Sequence, residues 1–476
     1  MLRRVVLDPV TRVEGHGVAE VFLDAAGEVA GARLAIGELR GFERICLGRP
    51  VEEMPRLTSR ICGMCPAAHH VAAAKALDDL WEVDPSPAAR NIRELAMCAQ
   101  LIQSHLTHFY ALALPDLMGQ KWPVPERHLF RLMEELGPDL SRYILESRGY
   151  AGQLLSQLGG KGIHPEFALA GGVSRTLSTE EMYRVEALAR SLVSFARFSL
   201  GFFKEQVLAG GNRISPETLG GEETHYLAML SGDAPHLTEG ELVLLDPGGR
   251  EVERFGEAQY QARLVAEREP WSYAEFFYLT GPGGQRLAVQ VGPLARVNAA
   301  RYWATPLAQE AFAEMLAVLG PKPLRGTMAK HWARLVEALF AAERALELAH
   351  DYQPPAVPAP ALPAGLPGSG LGVVEAPRGL LFHRYETDTA GLVTAARIIT
   401  PTAVNQAAIS QVMRAAAQQA LAHGGEEAEL AAEVETAIRS FDPCLSCATH
   451  IVRSPMTAVS LKRAGMDGSQ GEMEGR

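Results

Sequence analysis

Two pairs of cysteines carry the strongest chemical signal in this sequence. Cys62 and Cys65 lie within Arg60-Ile61-Cys62-Gly63-Met64-Cys65-Pro66-Ala67-Ala68-His69, and Cys444 and Cys447 within Asp442-Pro443-Cys444-Leu445-Ser446-Cys447-Ala448-Thr449-His450. Both pairs have the C-x-x-C spacing that lets two thiolates meet at one metal or form a redox dithiol. Pro443 suits the first helical position and Asp442 the cap before it. If a helical turn follows, Cys444, Cys447 and His450 succeed one another at i, i+3, i+6 and share one face. The helix dipole then lowers the pKa of thiols near the helix start. Zinc ribbons and fingers bring their pairs together over roughly 12–20 residues, whereas Cys444 follows Cys62 by 382 residues. The pairs therefore predict a site that ties the two ends of a large unit together. On spacing alone, a redox-active or catalytic metal and structural zinc are evenly matched, and a redox dithiol is a further reading.

The elements around these pairs follow from local pattern. Pro66 opens a helix to about Trp81 that places His69 on the face of Cys65, as a hydrogen-bond partner more than a ligand. Ser86-Pro87 caps and starts a second helix, to about Leu114, with Asp116 just beyond it. Its His105 and His108 read as core histidines. Ser178-x-x-Glu181 is a capping box for a long helix to about Ala209, and a helical period returns from Pro321 to His350. Val18–Leu23 and Val29–Ile36 flank a turn at 25–27 and predict an N-terminal hairpin, with Glu14 in the Gly-flanked loop before it. Residues 240–300 turn to short strands, and 352–370 form a Pro-rich loop. Gly379–Glu386 and Leu392–Thr400 predict a C-terminal hairpin about Asp388-Thr389-Ala390-Gly391. Pairing 388 with 391 puts residue 378 opposite 401, so Arg378 and Pro401-Thr402 meet as a small anion- or ligand-binding corner. Helices at about 403–423 and 426–441 lead back to Asp442. The class is α+β, predominantly helical, with long helices at the core, a hairpin near each end and a small β-rich excursion near 240–300, all in one domain over 1–476.

Composition narrows the function. A net charge of −11 argues against nucleic acid or an anionic membrane surface as partner. No apolar run approaches the ~18–20 residues of a spanning helix, and the start has no apolar signal core, which predicts a cytoplasmic protein without direct membrane insertion. Of six cysteines, only Cys46 and Cys98 are left over, and they read as buried small hydrophobes. Two spare thiols cannot hold an iron–sulfur cluster, which takes about four, so electrons leaving the site need another protein chain.

The two cysteine motifs, with Asp8-Pro9-Val10-Thr11-Arg12-Val13-Glu14-Gly15-His16, Arg40-Gly41-Phe42-Glu43, Ser104-His105-Leu106-Thr107-His108-Phe109-Tyr110, Glu375-Ala376-Pro377-Arg378-Gly379 and Thr400-Pro401-Thr402-Ala403-Val404-Asn405, resemble in order the signature blocks of [NiFe]-hydrogenase large subunits. The resemblance runs through the whole chain. It implies that family's fold and the reaction H2 ⇌ 2H+ + 2e−. It implies that Cys62 and Cys444 are terminal nickel ligands, and that Cys65 and Cys447 bridge nickel to an iron carrying CO and cyanide. Glu14 becomes the proton-transfer glutamate beside a terminal thiolate. Arg378, Pro401 and Thr402 become the corner around the cyanides. Arg378, held by Asp116 and Asp442, is the alternative base to Cys444 and Glu14. Glu43, the backbone carbonyl near Ile398 and His450 are implied Mg2+ ligands.

The short signatures resemble the soluble hydrogenases. Implied partners are the iron–sulfur small subunit of the hydrogenase, plus flavin/iron–sulfur diaphorase-type subunits leading to NAD(P). Heterodisulfide reductase or a deazaflavin is the alternative acceptor. A maturation endopeptidase is implied for the extension 451–476, with His450 as the mature end. A metal-free subunit like the homologous one of respiratory complex I is the reading from another class, and the four retained cysteines oppose it.

Overall fold

The computed structural model describes residues 3–449 except 210–222, 282, 355–360, 362–367 and 425. Four long helices frame it: Pro87–Thr107, Pro138–Gly159, Thr179–Phe202 and Thr327–Asp351. Pro87 and Pro138 begin theirs where a missing N–H costs nothing. The Ser86 hydroxyl accepts from the Ala89 N–H at 3.3 Å. Ser178 and Glu181 form the reciprocal capping box. The helix Thr327–Asp351 packs against Pro87–Thr107 and Thr179–Phe202 and is buried on every face from Thr327 to Glu343. Such a helix is normally apolar all round. This one instead carries Lys330, His331, Arg334 and Glu337 into the interior.

The helix from Pro87 stops short of the predicted Leu114. A wider π-type turn covers His108–Ala113, and a short helix Leu114–Met118 follows. Pro115 is the cause: it lacks an N–H and its ring collides with the carbonyl four residues earlier, so the backbone widens to pass it.

The N-terminal hairpin Gly17–Leu23 and Val29–Ile36 gains Arg3–Leu7 as a third strand. The expected excursion near 240–300 is larger than its sequence boundaries. It is a seven-stranded sheet that begins at His225–Ser231, with that strand paired parallel to Arg286–Gln290. Tyr226–Leu230 is a continuous buried run, which has no period-two signature to separate it from a helical segment.

The C-terminal hairpin, Gly379–Thr387 with Val393–Ile399, is also part of a three-stranded sheet, joined by Ser369–Ala376. Its register is two residues from the expected one, with Phe382 opposite Ile399. Asp388 pairs with Leu392 rather than Gly391, because Gly391 sits at φ 77° closing a type I turn with a bulge. A second irregularity lies at Glu386/Thr387. A shift of two keeps every side chain on its expected face. The strand Ser369–Ala376 lies against the helix Pro66–Leu80. Gly370 and Gly372 make this approach possible, since a β-carbon at either would run into the carbonyl of Ala76 or Ala72. Small residues on both sides thus set the distance between the first cysteine motif and the hairpin. Of the predicted Pro-rich loop, 355–360 and 362–367 lie outside the described residues, as do His450 and the extension 451–476.

Candidate metal centre

The two motifs meet. The sulfurs of Cys62, Cys65, Cys444 and Cys447 lie within 4.8 Å of one another and all four residues are buried. Cys62 Sγ is 3.1 Å from Cys444 Sγ, Cys65 Sγ is 3.6 Å from Cys447 Sγ, and Cys444 Sγ is 2.6 Å from Cys447 Sγ. Cys65 caps the helix Pro66–Leu80, so the first pair is rooted in the core. The second pair is held differently from the expected helical face. Asp442 ends the preceding helix at φ 52° instead of capping a new one, and among the described residues only a single 3-10 turn, Ser446–Ala448, follows. Asp442 is therefore oriented by the helix behind it, with its N–H bonded to Arg439 O at 2.8 Å. Burial pushes the Cys444 and Cys447 thiols well up, while hydrogen bonds from Cys444, Cys447 and Cys65 pull the Cys62 thiol well down. Four thiolates this close cannot all carry charge unless a cation shares them. The donor set, four soft sulfurs, fits nickel and low-valent iron.

Glu14 reaches the cluster from the other end of the chain. Its Oε2 lies 2.8 Å from Cys444 Sγ, and the Ser446 hydroxyl donates to its Oε1. The backbone fixes this contact: the Leu445 N–H donates to Glu14 O at 2.8 Å. Gly15 at φ 83° packs where a β-carbon would strike the Ser446 nitrogen. Arg439 clamps the same loop, donating to Thr11 O and Thr11 Oγ1, both at 2.9 Å.

Arg378, Pro401 and Thr402 do share one small cavity with Cys65, Cys444 and Cys447. Arg378 donates to Asp442 O at 2.5 Å, to Asp442 Oδ1 at 3.0 Å and to Ser104 Oγ at 3.4 Å. Burial opposes its charge, but Asp442 and the thiols outweigh burial and hold Arg378 protonated above its ordinary range. The expected second carboxylate does not join it. Asp116 pairs with Arg12 and Arg439 instead, because the widened turn at 108–113 carries it to the loop that bears Glu14. Thr402 Oγ1 accepts from the Cys444 N–H at 2.9 Å. Thr400 Oγ1, also buried beside the cavity, has no hydrogen-bond partner among the described residues.

Glu43 and Ile398 are together: the Ile398 N–H donates to Glu43 Oε1 at 2.7 Å. Burial raises the Glu43 carboxyl to about 7 against the pull of Arg397. His69 lies with Nε2 3.7 Å from Cys447 Sγ. Burial lowers its pKa to about 4, so the ring is neutral. Cys46 and Cys98 are buried free thiols, and burial pushes Cys46 up to about 12.

Several functional neighbours escaped the sequence reading: Ser104, Ser446, His383 and Asn405. Ser104, Ser446 and Asn405 sit inside the signature motifs, and only their partners were hidden. Asn405 exchanges two hydrogen bonds with Val291, at 2.9 and 3.3 Å. Neighbouring Gly292 then packs on the carbonyl of Arg378.

The fold and the four-thiol site define a class. A family model described as nickel-dependent hydrogenase matches residues 40–119 and 256–450, and one described as HoxL-like matches 4–39. The chain belongs to the nickel-dependent hydrogenase family, as one of its large subunits, and acts on H2. Among individual relatives, it is 38% identical to an iron-sulfur subunit of the F420-non-reducing hydrogenase of Archaeoglobus profundus, over 94% of this chain and 95% of that one. It is 35% identical to the NAD-reducing hydrogenase HoxS subunit beta of Cupriavidus necator, over 97% of each. A solved NAD+-reducing [NiFe]-hydrogenase in the H2-reduced state matches with a TM-score of 0.87 at 34% identity, over 94% of this chain and 99% of that one. The reduced Ni-Fe-Se hydrogenase of D. vulgaris Hildenborough shares the fold, with a TM-score of 0.72 at 23% identity, over 94% of this chain and 100% of that one. Among the described residues no helix is long and apolar enough to cross a membrane.

Proposed function

We propose that the four thiolates hold a nickel–iron centre whose iron carries CO and cyanide, that protons leave through Cys444 and Glu14, and that electrons leave to an iron–sulfur partner subunit. The observation that carries this reading is the convergence of four sulfurs within 4.8 Å with a carboxylate 2.8 Å from one of them. The bound centre supplies heterolytic cleavage of H2. The chain's own residues do the rest. Cys444 takes the proton and Glu14 receives it along the 2.8 Å contact, while Ser446 keeps that carboxylate aimed at the sulfur. Arg378 remains charged and serves as a fixed donor, because Asp442 and the thiols hold its guanidinium protonated above its ordinary range despite burial. The Arg378 guanidinium, the Thr402 hydroxyl and the Thr400 hydroxyl offer donors suited to small anionic ligands on the iron. Glu43, the Ile398 carbonyl and His450 are the proposed Mg2+ ligands.

NAD(P), reached through flavin and iron–sulfur diaphorase-type subunits, is the proposed acceptor, in line with the NAD-reducing relatives. The F420-non-reducing relative at 38% identity supports a second reading, in which a different redox partner takes the electrons. We place the enzyme in the cytoplasm as one large domain. A maturation endopeptidase is proposed to remove 451–476 once the metals are in place, leaving His450 as the mature end.

Protein purified with its bound partners from the native host tests these points together. Nickel and iron by elemental analysis, H2-dependent NAD(P)+ reduction and an intact mass ending at His450 are expected. Zinc alone would sink the metal assignment. H2 uptake that reduces artificial dyes but not NAD(P)+ would sink the acceptor, and a fully active chain that still ends at Arg476 would sink the processing step.

A further inference from the structure

A line of buried hydrogen bonds leaves the thiol cluster at Cys447, whereas Glu14 meets Cys444. Cys447 Sγ meets His69 Nε2 at 3.7 Å, His69 Nδ1 meets His383 Nε2 at 3.0 Å, and His383 Nδ1 meets the Tyr385 hydroxyl at 2.7 Å. His69 is 1% exposed and His383 and Tyr385 are fully buried, so no solvent competes along the line. The placement follows from two periodicities. His69 sits one turn after Cys65 on its helix, and His383 and Tyr385, two apart on one strand, point to the same face.

Each imidazole in such a line passes on one direction of donation, because a neutral ring has one N–H and one acceptor nitrogen. If the Tyr385 O–H donates to His383 Nδ1, then His383 Nε2–H donates to His69 Nδ1. His69 Nε2–H is then aimed at the sulfur. If the direction reverses, His69 presents a lone pair to a thiolate, which is repulsive. Tyr385 can supply the first proton of the line, since burial keeps its phenol from ionising. Thr58, beside the phenol, gives its own proton to Met54 O at 2.7 Å and so could only accept from Tyr385, whereas the phenol's close hydrogen bond is the one to His383 Nδ1 at 2.7 Å.

We propose that Tyr385 and His383 are positioning residues that fix the tautomer of His69, so that Cys447 receives a permanent hydrogen bond and donates less charge to the metals it holds. The inference rests on the four-thiolate metal reading. A hydrogen bond to a ligating sulfur raises the potential of the metal behind it.

The test uses the whole complex with Tyr385→Phe, His383→Leu and His383→Gln, measuring nickel and iron content and the midpoint potential of the nickel electron-paramagnetic-resonance signal. His383→Leu cuts the line and Tyr385→Phe removes its first donor. Both should retain metal and shift the midpoint to lower potential, His383→Leu more. His383→Gln can accept from Tyr385 and donate to His69, and should return the midpoint toward wild type. If His383→Leu does not load metal, the one-oxygen change Tyr385→Phe carries the comparison. Unchanged midpoints in metal-replete Tyr385→Phe and His383→Leu would overturn the proposal, and so would loss of metal in both, which would assign the line to assembly. A wild-type complex without nickel and iron would instead overturn the metal reading beneath it.

Discussion

At the scale of single residues, the cluster separates the job of holding metal from the job of moving protons. Cys65 lies beside Cys447, whereas the sulfur that Glu14 meets is that of Cys444. Cys65→Ser replaces a soft thiolate by a hard oxygen, so nickel content and H2 turnover should both disappear. Normal nickel with full activity would contradict a four-thiolate site. Glu14→Gln preserves shape and the amide can still face Ser446, but it cannot accept a proton. A positioned acid–base group contributes typically ~10²–10⁴-fold, so H2/D+ exchange should fall by at least ~10²-fold while nickel and iron stay bound. Exchange near the wild-type rate would move the proton route to Arg378 or to water.

At the scale of elements, the site depends on a helix and a sheet approaching more closely than ordinary side chains allow. Gly372→Ala drives a methyl group into the carbonyl of Ala72, and a backbone carbonyl cannot swing away as a side chain can. Overpacking of this kind costs roughly 1–3 kcal/mol. The strand Ser369–Ala376 runs directly into Pro377 and Arg378, so its displacement also moves Arg378 off the thiols. A lower melting temperature together with reduced nickel loading is expected; a variant as stable and as nickel-replete as wild type would show that the site tolerates a wider spacing. Much of this element layer is legible in the sequence. The caps at Ser86 and Ser178 and the N-terminal hairpin turn are local signals, readable because each depends on residues within one turn. The C-terminal register differs from its expectation by two positions because an αL glycine and a bulge are a local backbone choice that composition does not dictate. Asp116 goes to Arg12 and Arg439 rather than Arg378 because a π-type turn, indistinguishable in pattern from continuous helix, redirects it.

At the scale of the whole molecule, the chain keeps an unusual store of neutral imidazoles in its interior, and this sets its response to acid. His69, His70, His105, His108 and His331 are all buried, and burial lowers each of them, His69 and His70 to about 4. Sequence pattern marks three of these as spatial partners or core residues but assigns His70 no role, since its partners lie far off in the chain. His70 Nδ1–H donates to Pro55 O at 2.8 Å, and its Nε2 accepts from the N–H groups of Phe167 and Ala168 at 3.0 and 2.9 Å. It therefore ties three segments together in one tautomer, and a proton on Nε2 would face two donors. For a histidine whose folded pKa lies below its unfolded value of 6.5, the stabilising contribution is whole above pH 6.5 and is lost as pH falls through about 4. For His70 alone the loss approaches an order of 3 kcal/mol once the pH is below the folded value. Glu43 and Glu375, raised by burial to about 7, push the other way, so the His70 effect is read as a difference: the melting-temperature gap between wild type and a variant without this imidazole should be level above pH 6.5 and shrink between 6.5 and 4. His70→Gln keeps one acceptor for the Phe167 or Ala168 N–H but no group that titrates there. It should start less stable at neutral pH and lose less per pH unit, by about one proton's share of the slope. Melting curves of both proteins at matched pH values decide the matter: parallel slopes would mean that His70 does not remain neutral in the fold, and that the acid sensitivity arises elsewhere.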